Sequence, residues 1–391
     1  MTQIVIVGCG IVGAMTAYEL SQVPGLQITV LDRHPPAQAA TGAALGVLMG
    51  IISQKTKGRA WAMRQASMRY YAELLPRLEG VAWNSQGLVK LCFPEDDLAK
   101  WQELIQLRQR QGWQLELWTP AELRQRCPQV QHSDLTAAVY SPQDYQVDPT
   151  ALTLALIEAA QQRGVEFRCN VEVTGLRQAG SNNQLLLENG EGGNDILTAD
   201  WVVLAAGLGT TGLLTASQTD LKLSPVLGQA MRIQLPQPLG DPAFQPVITG
   251  RDIHVVPLKA ARRQTRESTP RGQDYWVGAT VEFASGLQAG QDLSPVAVAE
   301  RLEEVWRDAI GLCPGLAQAT RLQTWSGLRP RPQNQPAPVI EPLSGYDRVW
   351  LATGHYRNGV LLAPATAQLV RAAVQEQVDS GADSGTNSGT R

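Results

Sequence analysis

Long apolar runs, paired cysteines and an excess of positive charge are all missing from this sequence. Its apolar stretch from Ala43 to Ile52 is about half as long as a helix that crosses a bilayer. The five cysteines are scattered and never spaced as Cys-x-x-Cys, which favours reduced thiols over a disulfide framework or a zinc site. A formal net charge of −3 provides no general positive field to attract nucleic acid or an anionic membrane.

The N-terminus also lacks the charged segment of a signal peptide, and Gly8 and Gly10 interrupt its apolar run. We therefore predict a cytoplasmic protein without a transmembrane segment, a metal ion or a nucleic-acid partner. A peripheral membrane contact and a homo-oligomer stay open at this point. With 391 residues, of which 43% are hydrophobic, the chain is long enough for two domains with complete cores.

The first 32 residues have the pattern of a β-α-β unit. A buried strand ends at Gly8, a helix follows, and a second buried strand ends at Asp32. Gly8, Gly10 and Gly13 form a GxGxxG motif, whose glycines permit the tight turn, the approach of a pyrophosphate and close packing of the helix on the strand. The unit therefore predicts a dinucleotide site, with Asp32 placed to accept hydrogen bonds from ribose hydroxyls. Arg33 is interpreted as a surface arginine rather than as a ligand of an NADP phosphate.

The fingerprint alone does not separate FAD from NAD. A run of small residues, Ala40 to Val47, follows soon after the second strand. Small residues let a backbone pass close to a flat ligand, although they also suit tight packing between helices. The run therefore favours FAD without proving it.

Further elements are predicted along the chain from hydrophobic periodicity, caps and breakers. The predicted helices cover approximately residues 61–78, 98–112, 149–163, 293–310 and 364–377. The predicted strands cover approximately residues 165–173, 201–204, 230–235, 253–257, 275–283 and 350–352. Residues 259–274 are polar and arginine-rich, which favours a solvated hairpin extension over a lid or an anion-docking loop, and residues 379–391 are expected to be disordered.

Two motifs near the C-terminus carry a family resemblance. One is Gly327-Leu328-Arg329-Pro330, and the other runs from Gly354 to Pro364 as GHYRNGVLLAP. Together with the N-terminal fingerprint and the small-residue run, they resemble glycine oxidase, within the D-amino-acid oxidase and sarcosine oxidase superfamily. The resemblance covers almost the whole chain. An NAD-dependent dehydrogenase does not account for the second motif.

The resemblance implies an α/β fold: a doubly wound, Rossmann-like FAD-binding domain with an interleaved antiparallel-sheet substrate domain. The FAD-binding domain is expected to consist of residues 1–80, 145–225 and 325–378. The substrate domain is expected to consist of residues 81–144 and 226–324.

The resemblance also implies roles for individual residues. Arg329 matches the arginine that holds a substrate carboxylate, and Arg357 is the second candidate for that role. The residues expected to bind non-covalent FAD are Gly8, Gly10, Ile11, Val12, Gly13, Asp32, Arg33, Ala40, Thr41, Leu45, Gly46, Val47, Val173, His355, Tyr356, Arg357, Asn358, Gly359, Val360 and Leu361.

The sequence departs from the family at two positions. His254 stands where glycine oxidase has a substrate-side tyrosine, and Val47 aligns with a methionine near the flavin. If His254 touches the substrate, its protonation would make substrate affinity depend on pH around neutrality. The alternative is a histidine that is simply packed within its strand.

The expected reaction is oxidation of a small amino acid (glycine, sarcosine or a D-amino acid) to an imine, which hydrolyses to an oxo-acid and ammonia. Oxygen would then be reduced to hydrogen peroxide. Two alternatives stay open: a dehydrogenase of the same fold that passes electrons to a quinone or carrier, and a non-catalytic flavin-binding subunit. A buried arginine at position 329 argues against the second, because such a subunit has no need to bind a carboxylate.

Overall fold

The computed structural model describes residues 1–189, 193–214, 219–258, 273–283 and 299–385. Twenty-one strands are numbered β1 to β21 in chain order. Their bounds are Thr2–Val7, Leu26–Asp32, Val47–Leu48, Trp83–Asn84, Leu88–Cys92, Glu116–Trp118, Ala137–Ser141, Tyr145–Val147, Glu166–Cys169, Val171–Ala179, Asn182–Asn189, Asn194–Ala199, Trp201–Leu204, Leu223–Gln234, Val247–Gly250, Ile253–Pro257, Asp274–Gly278, Glu282–Phe283, Thr320–Pro332, Val339–Pro342 and Val349–Thr353. Eight α-helices, α1 to α8, span Ile11–Leu20, Gly58–Leu74, Leu98–Arg110, Pro120–Arg126, Pro149–Gln161, Thr210–Leu213, Ala299–Leu312 and Gly359–Gly385.

A six-stranded sheet in the order β20-β21-β13-β1-β2-β9 carries the glycine fingerprint. Strands β21, β13, β1, β2 and β9 are parallel, and β20 adds an antiparallel edge. The central strands are almost entirely apolar and buried, as expected for a parallel sheet that is covered on both faces. This architecture confirms the predicted fold class.

A larger, mostly antiparallel sheet holds the predicted substrate-side residues. Its strands follow the order β18-β14-β17-β16-β15-β5-β7-β6, and β19 also pairs with β14. One face packs against α4 and α7 through Val255, Val277 and Met231, which belong to one buried cluster. The other face contributes Ala230, Val247 and other residues to the large cluster that contains the cofactor-side helices. The sheet therefore lies between its own helices and the first domain.

Several predicted elements have different bounds in the structure. The strand expected at 165–173 is two strands in different sheets, β9 and β10, because Asn170 adopts a left-handed conformation with φ of 61° between them. Strands β14 and β19 cross the domain divisions predicted at 225/226 and 324/325, so these divisions fall inside strands. They are long because they pair with each other from Leu223 with Pro332 to Gln234 with Thr320, with one register shift between Arg232 and Ile233.

Helix α8 begins at Gly359, five residues earlier than the predicted start at Pro364. Proline inside a helix removes the N–H that would bond to the carbonyl four residues before it, here that of Val360. The fully buried Tyr71 hydroxyl donates a hydrogen bond to this carbonyl, and Ser67 Oγ accepts one from the N–H of Ala365 at 3.3 Å. Ser67 and Tyr71 are four residues apart on α2, so one face of α2 supports the turn that the proline disturbs.

Two predicted segments lie partly or wholly outside the described residues. Helix α8 continues to Gly385, past the expected boundary at 378, and residues 386–391 fall outside the description. The segment 259–274 is described only at Gln273 and Asp274, and the start of the helix predicted at 293–310 also lies outside the described residues. Among the helices in the described ranges, none has the length and apolar character needed to cross a membrane.

We predict that Tyr71→Phe lowers the free energy of unfolding by about 1–3 kcal/mol, because the Val360 carbonyl then stays buried without a partner. Urea denaturation followed by far-UV circular dichroism measures the change. Tyr18→Phe on α1 is the matched control, since its hydroxyl makes no hydrogen bond with the described residues. Equal stabilities of the two variants would show that the hydroxyl does not support α8.

Candidate active site

The fingerprint turn joins β1 to α1 at the closest approach that the backbone permits. Gly8 has φ of 109°, and a side chain there would overlap the backbone of Ala205 after β13. A side chain at Gly13 would overlap the carbonyl oxygen of Gly8. The turn lies where the carboxyl ends of β1 and β13 meet the N-terminus of α1, which is the position that binds pyrophosphate in folds of this class.

Asp32 and Thr41 hold this turn in shape. The Asp32 carboxylate accepts hydrogen bonds from the N–H groups of Cys9 at 2.6 Å and His34 at 2.9 Å. Thr41 Oγ1 accepts a hydrogen bond from the N–H of Ile11 at 3.0 Å. The small-residue run is thereby tied to the first turn of α1.

Arg33 forms an exposed ion pair with Glu172 of β10 at 3.5 Å. Both side chains are about half exposed, so their mutual attraction is weak. This pairing agrees with the interpretation of Arg33 as a surface arginine. Val173, the residue beside Glu172, is partly buried among the apolar residues that lie between β10 and the parallel sheet.

Strand β19 packs directly against the small-residue run. A side chain at Gly327 would overlap the Ala43 side chain, and Trp325 Nε1 donates a hydrogen bond to the Ala43 carbonyl at 3.1 Å. On the other side, Gly46 has φ of 65°, and a side chain there would overlap the carbonyl of Val147. The run is therefore fixed between β19 and β8, with no space for larger residues at these contacts.

Two buried charged residues that no sequence motif marks fix the loop of residues 50–53, which follows the small-residue run. Asp144 accepts hydrogen bonds from the N–H groups of Gly50, Ile51 and Ile52 at 2.7, 2.8 and 2.9 Å. Arg108 donates to the carbonyls of Ile51 and Ser53 at 2.8 and 2.7 Å. These partners are 55 to 94 residues apart in the chain, so no local pattern identifies them.

The GHYRNG segment lies at the start of α8, against this loop. His355 is buried, and its Nε2 lies 2.9 Å from Oγ1 of Thr366, 11 residues further along the chain. Burial, with a smaller contribution from the Arg59 charge, lowers the pKa of His355 to about 3, so the imidazole is neutral. A Cβ at Gly50 would lie 3.5 Å from Leu361, which places the 50–52 loop beside this segment.

On the large sheet, the strand register aligns one row of side chains toward the first domain. Residues in register on neighbouring strands project from the same face. Across strands β19, β14, β17, β16, β15 and β5, this row consists of Trp325, Ala230, Gly278, His254, Thr249 and Lys90. Its centre has almost no side-chain volume, which leaves room above the sheet between His254 and Trp325.

Arg329 lies at the edge of this space. Its guanidinium group covers Gly228, where any side chain would overlap it, and Nη1 donates to the carbonyls of Leu227 at 3.1 Å and Thr280 at 3.0 Å. Burial, followed by the charge of Arg357, lowers its pKa from the ordinary value of 12.5. Within the described part of the chain, no carboxylate forms an ion pair with Arg329. An anionic ligand would therefore complete its interactions.

Arg357 has a carboxylate partner, unlike Arg329. Its Nη2 donates to Asp252 Oδ1 at 3.0 Å. Burial would raise the pKa of Asp252, but the hydrogen bond and charge of Arg357 outweigh it and the pKa is lowered. Arg251 and Asp252 form the two-residue turn between β15 and β16, both with positive φ, 46° and 64°. The ion pair thus holds this hairpin turn against the GHYRNG segment.

His254 projects between these two arginines and Lys90. Burial, and then the charge of Arg357, lower its pKa from 6.5 to about 4. Its Nδ1 is shielded from solvent and has no hydrogen-bond partner in the described residues. The imidazole is therefore uncharged around neutrality in the folded chain, and the expected pH dependence of substrate affinity stays a prediction.

The residues present fit a flat dinucleotide. An added Cβ at Gly10 would meet only Thr41 Oγ1, at 3.0 Å, so the backbone there can be approached by a ligand, and the N-terminus of α1 faces the same turn. A parallel sheet with this turn, covered by a second sheet that presents a partly buried arginine, is typical of FAD-binding oxidoreductases. The family model described as DAO, FAD dependent oxidoreductase, matches residues 3–373. The chain therefore belongs to this family, and FAD is its cofactor.

Relatives and solved structures agree with this assignment. The chain is 29% identical over 377 residues to the bifunctional protein ThiO/ThiG of Nostoc sp., which covers 96% of this chain and 53% of that protein. It is 28% identical to the glycine oxidase of Pseudomonas putida, covering 94% and 93%. The crystal structure of glycine oxidase from Geobacillus kaustophilus has a TM-score of 0.82 at 24% identity, covering 96% and 95%. The chain thus spans about half the length of the ThiO/ThiG relatives.

We predict that Gly10→Val abolishes FAD binding, because a branched side chain would stand beside Thr41 Oγ1, 3.0 Å from the Gly10 Cβ position, where the pyrophosphate approaches. Purified wild-type protein should be yellow and should release FAD on heating, as expected for non-covalent binding. Flavin absorbance per protein measures the loss. Gly311→Ala on α7, where a methyl group meets nothing within 4 Å, is the control. Normal flavin content in Gly10→Val would show that this turn does not hold FAD.

We predict that His254→Phe makes the protein less sensitive to acid. Because the folded-state pKa is about 4 and the ordinary value 6.5, the unfolded chain binds the proton first as the pH falls. The stability of the wild type therefore decreases from about pH 6.5 toward pH 4, by at most roughly 1.4 kcal/mol per pH unit from this group, and is unaffected above that window.

Urea denaturation between pH 4 and 8 measures this contribution. The slope in the acidic window should decrease in His254→Phe and stay unchanged in the control His34→Phe, whose histidine is exposed. An unaltered slope in His254→Phe would mean that the imidazole is protonated in the folded protein.

Proposed function

We propose that this protein oxidises an amino acid, using FAD as the two-electron acceptor. The observation that carries the proposal is Arg329, a partly buried cation without a carboxylate partner in the described residues. Arginine binds a carboxylate through two parallel hydrogen bonds, which fix both its position and its angle. The glycine oxidase of Pseudomonas putida, at 28% identity over nearly the full length of both chains, supports the proposal.

The position of Arg329 relative to the cofactor is set by β19. Trp325 and Gly327 of the same strand contact Ala43 in the small-residue run. Arg329 follows two residues later and projects from the same face of the sheet. A substrate carboxylate bound to Arg329 is therefore held at a fixed place with respect to the cofactor-binding segment, which favours a reactive alignment of its Cα–H bond.

The chain's other groups in this space favour the neutral form of the substrate amine. Arg329, Arg357 and Lys90 are positively charged and disfavour a nearby ammonium. The neutral His254 can exchange hydrogen bonds with the amine without carrying a proton of its own near pH 7. Loss of two electrons and a proton from Cα–H, followed by the N–H proton, gives an imine that water hydrolyses to an oxo-acid and ammonia.

The alternative function differs from this proposal only in the final electron acceptor. With oxygen, the products include hydrogen peroxide and the protein is an oxidase. With a quinone or another carrier, it is a dehydrogenase of the same fold. An oxygen electrode and a dye-reduction assay on the same preparation distinguish these two outcomes.

The substrate is to be identified by an anaerobic screen of glycine, sarcosine and both enantiomeric series of amino acids, recording the bleaching of the flavin absorbance. Bleaching by at least one of them is expected. If none of them reduces the flavin, the protein is not an amino-acid oxidoreductase, and the non-catalytic flavin-binding subunit becomes the better hypothesis.

We predict that Arg329→Lys keeps FAD but loses about 3 kcal/mol or more of transition-state stabilisation, since lysine is a point charge that cannot form the two-bonded fork. The loss corresponds to about a hundredfold or more in kcat/KM. Steady-state kinetics on the best amino acid from the screen measure it. If the enzyme accepts an amine that has no carboxylate, Arg329→Lys should lower kcat/KM less for that substrate.

Gly228→Ala displaces the Arg329 side chain without replacing the arginine. A methyl group at this position overlaps the Arg329 guanidinium, so the arginine must move while the strand stays compatible with alanine. Its kcat/KM should fall in the same direction as in Arg329→Lys, and Gly311→Ala should match the wild type. Values within threefold of wild type in both site variants would place the carboxylate elsewhere, with Arg357 as the next candidate.

A further inference from the structure

Lys90 is a cation on the substrate-facing side of the sheet, and in the reaction proposed above it does not bind the substrate carboxylate. It lies on β5, in register with Thr249 on β15, which is itself in register with His254 on β16. Leu88 and Cys92 lie two residues before and after Lys90 on the same strand, and both belong to the buried cluster that faces the first domain. The register therefore directs the Lys90 side chain toward the same space as Arg329.

No carboxylate forms an ion pair with Lys90 in the parts of the chain that the structure describes. Asp252, whose charge interacts with Lys90, is hydrogen-bonded to Arg357, so one carboxylate faces two cations at this end of the row. Glu282 is in register with Leu227, on the opposite face from Arg329, and its Oε1 accepts from Gln229 Nε2 at 2.8 Å. A single substrate carboxylate at Arg329 would thus leave the Lys90 charge unmatched.

His254 supplies a second, independent observation at the same place. Its Nδ1 is shielded from solvent and lacks a partner among the described residues, and a buried polar atom left in this state costs about 1–3 kcal/mol. His254 lies on β16, between β5, which carries Lys90, and β14, which lies beneath the Arg329 guanidinium. An oxygen atom of a ligand in this space would satisfy the Nδ1 atom.

The spacing of the strands sets the size of that ligand. Neighbouring strands lie about 4.8 Å apart, so His254 on β16 is about 10 Å across the sheet from β14, which lies beneath the Arg329 guanidinium. The side chains of Arg329 and His254 project into this interval and shorten it. The remaining gap suits a compact molecule with an anionic group at each end.

We propose that Lys90, His254 and Arg357 form a second anion-binding subsite, and that the preferred substrate is a dicarboxylic amine, either an acidic amino acid or an N-carboxymethyl amino acid. This inference rests on the amino-acid oxidation proposed above. Arg329 binds the carboxylate next to the reacting carbon. The second carboxylate lies toward Lys90 and accepts from its ammonium group and from the imidazole of His254.

The test compares kcat/KM for dicarboxylic substrates (D-aspartate, D-glutamate and iminodiacetate) with that for glycine, sarcosine and D-alanine. The wild-type holoenzyme should favour at least one dicarboxylic substrate. In Lys90→Met the ratio of dicarboxylic to monocarboxylic kcat/KM should fall by at least about tenfold, equivalent to about 1.4 kcal/mol. Lys90→Arg restores the charge and should recover most of the ratio.

Lys100→Met is the matched control. Lys100 lies exposed on α3 and pairs with Asp97 at 3.2 Å, away from the row. Its ratio should equal that of the wild type. If Lys90→Met proves too unstable to assay, Lys90→Gln is used in its place and the same fall is expected.

Binding is measured separately with acids that have no amine and cannot be oxidised. Succinate and butanoate are titrated while the flavin absorbance of each holoenzyme is recorded. Wild type should bind succinate at least about tenfold more tightly than butanoate, and Lys90→Met should lose this preference.

The outcomes separate the two proposals. If glycine, sarcosine or D-alanine is oxidised at least as efficiently as every dicarboxylic substrate and Lys90→Met leaves the ratio unchanged, the second subsite is wrong while amino-acid oxidation stands. If no amino acid reduces the flavin, the proposal of amino-acid oxidation is wrong, and so is the proposed subsite, which depends on it. Equal binding of succinate and butanoate by the wild type also contradicts the subsite.

Discussion

The contact between strand β19 and the small-residue run fixes the distance between the two sheets of this protein. Gly327 packs against Ala43 with no space for a side chain, and Trp325 donates a hydrogen bond to the Ala43 carbonyl at 3.1 Å. The run is in turn tied to the fingerprint turn through Thr41. The arginine of the substrate sheet and the glycines of the cofactor sheet therefore belong to one continuous chain of short contacts. Such contacts resist displacement because packed interiors are nearly incompressible.

The sequence was sufficient to predict the elements that rest on local chemistry. The β-α-β unit follows from a buried strand, three glycines and a terminal aspartate, all within 32 residues. The fold class and the family followed from the N-terminal fingerprint together with the motif around Arg329 and the segment from Gly354 to Pro364. These features are visible because their meaning depends on neighbours a few positions away.

What the sequence did not reveal depends on partners that are remote along the chain. Asp144 binds backbone N–H groups more than 90 residues away, and β14 is longer than its apolar pattern suggests because β19 pairs along its whole length. The start of α8 was placed too late because proline usually marks the first turn of a helix. The uncharged state of His254 follows from burial beside Arg357, a proximity that only the folded chain creates. Lys90 has no local motif at all, and the register of three strands is needed to place it near His254.

The support of α8 by α2 also links residues that are far apart in the chain. Pro364 has no N–H group to donate to the Val360 carbonyl, and the Tyr71 hydroxyl donates a hydrogen bond to this carbonyl instead. An ordinary helix former at position 364 would return the N–H group, and the hydroxyl of Tyr71 would then be redundant. The two positions are therefore thermodynamically coupled, so the cost of losing either partner depends on the identity of the other. In divergent members of the family, a proline inside this helix and a hydroxyl on the facing helix should be gained or lost together.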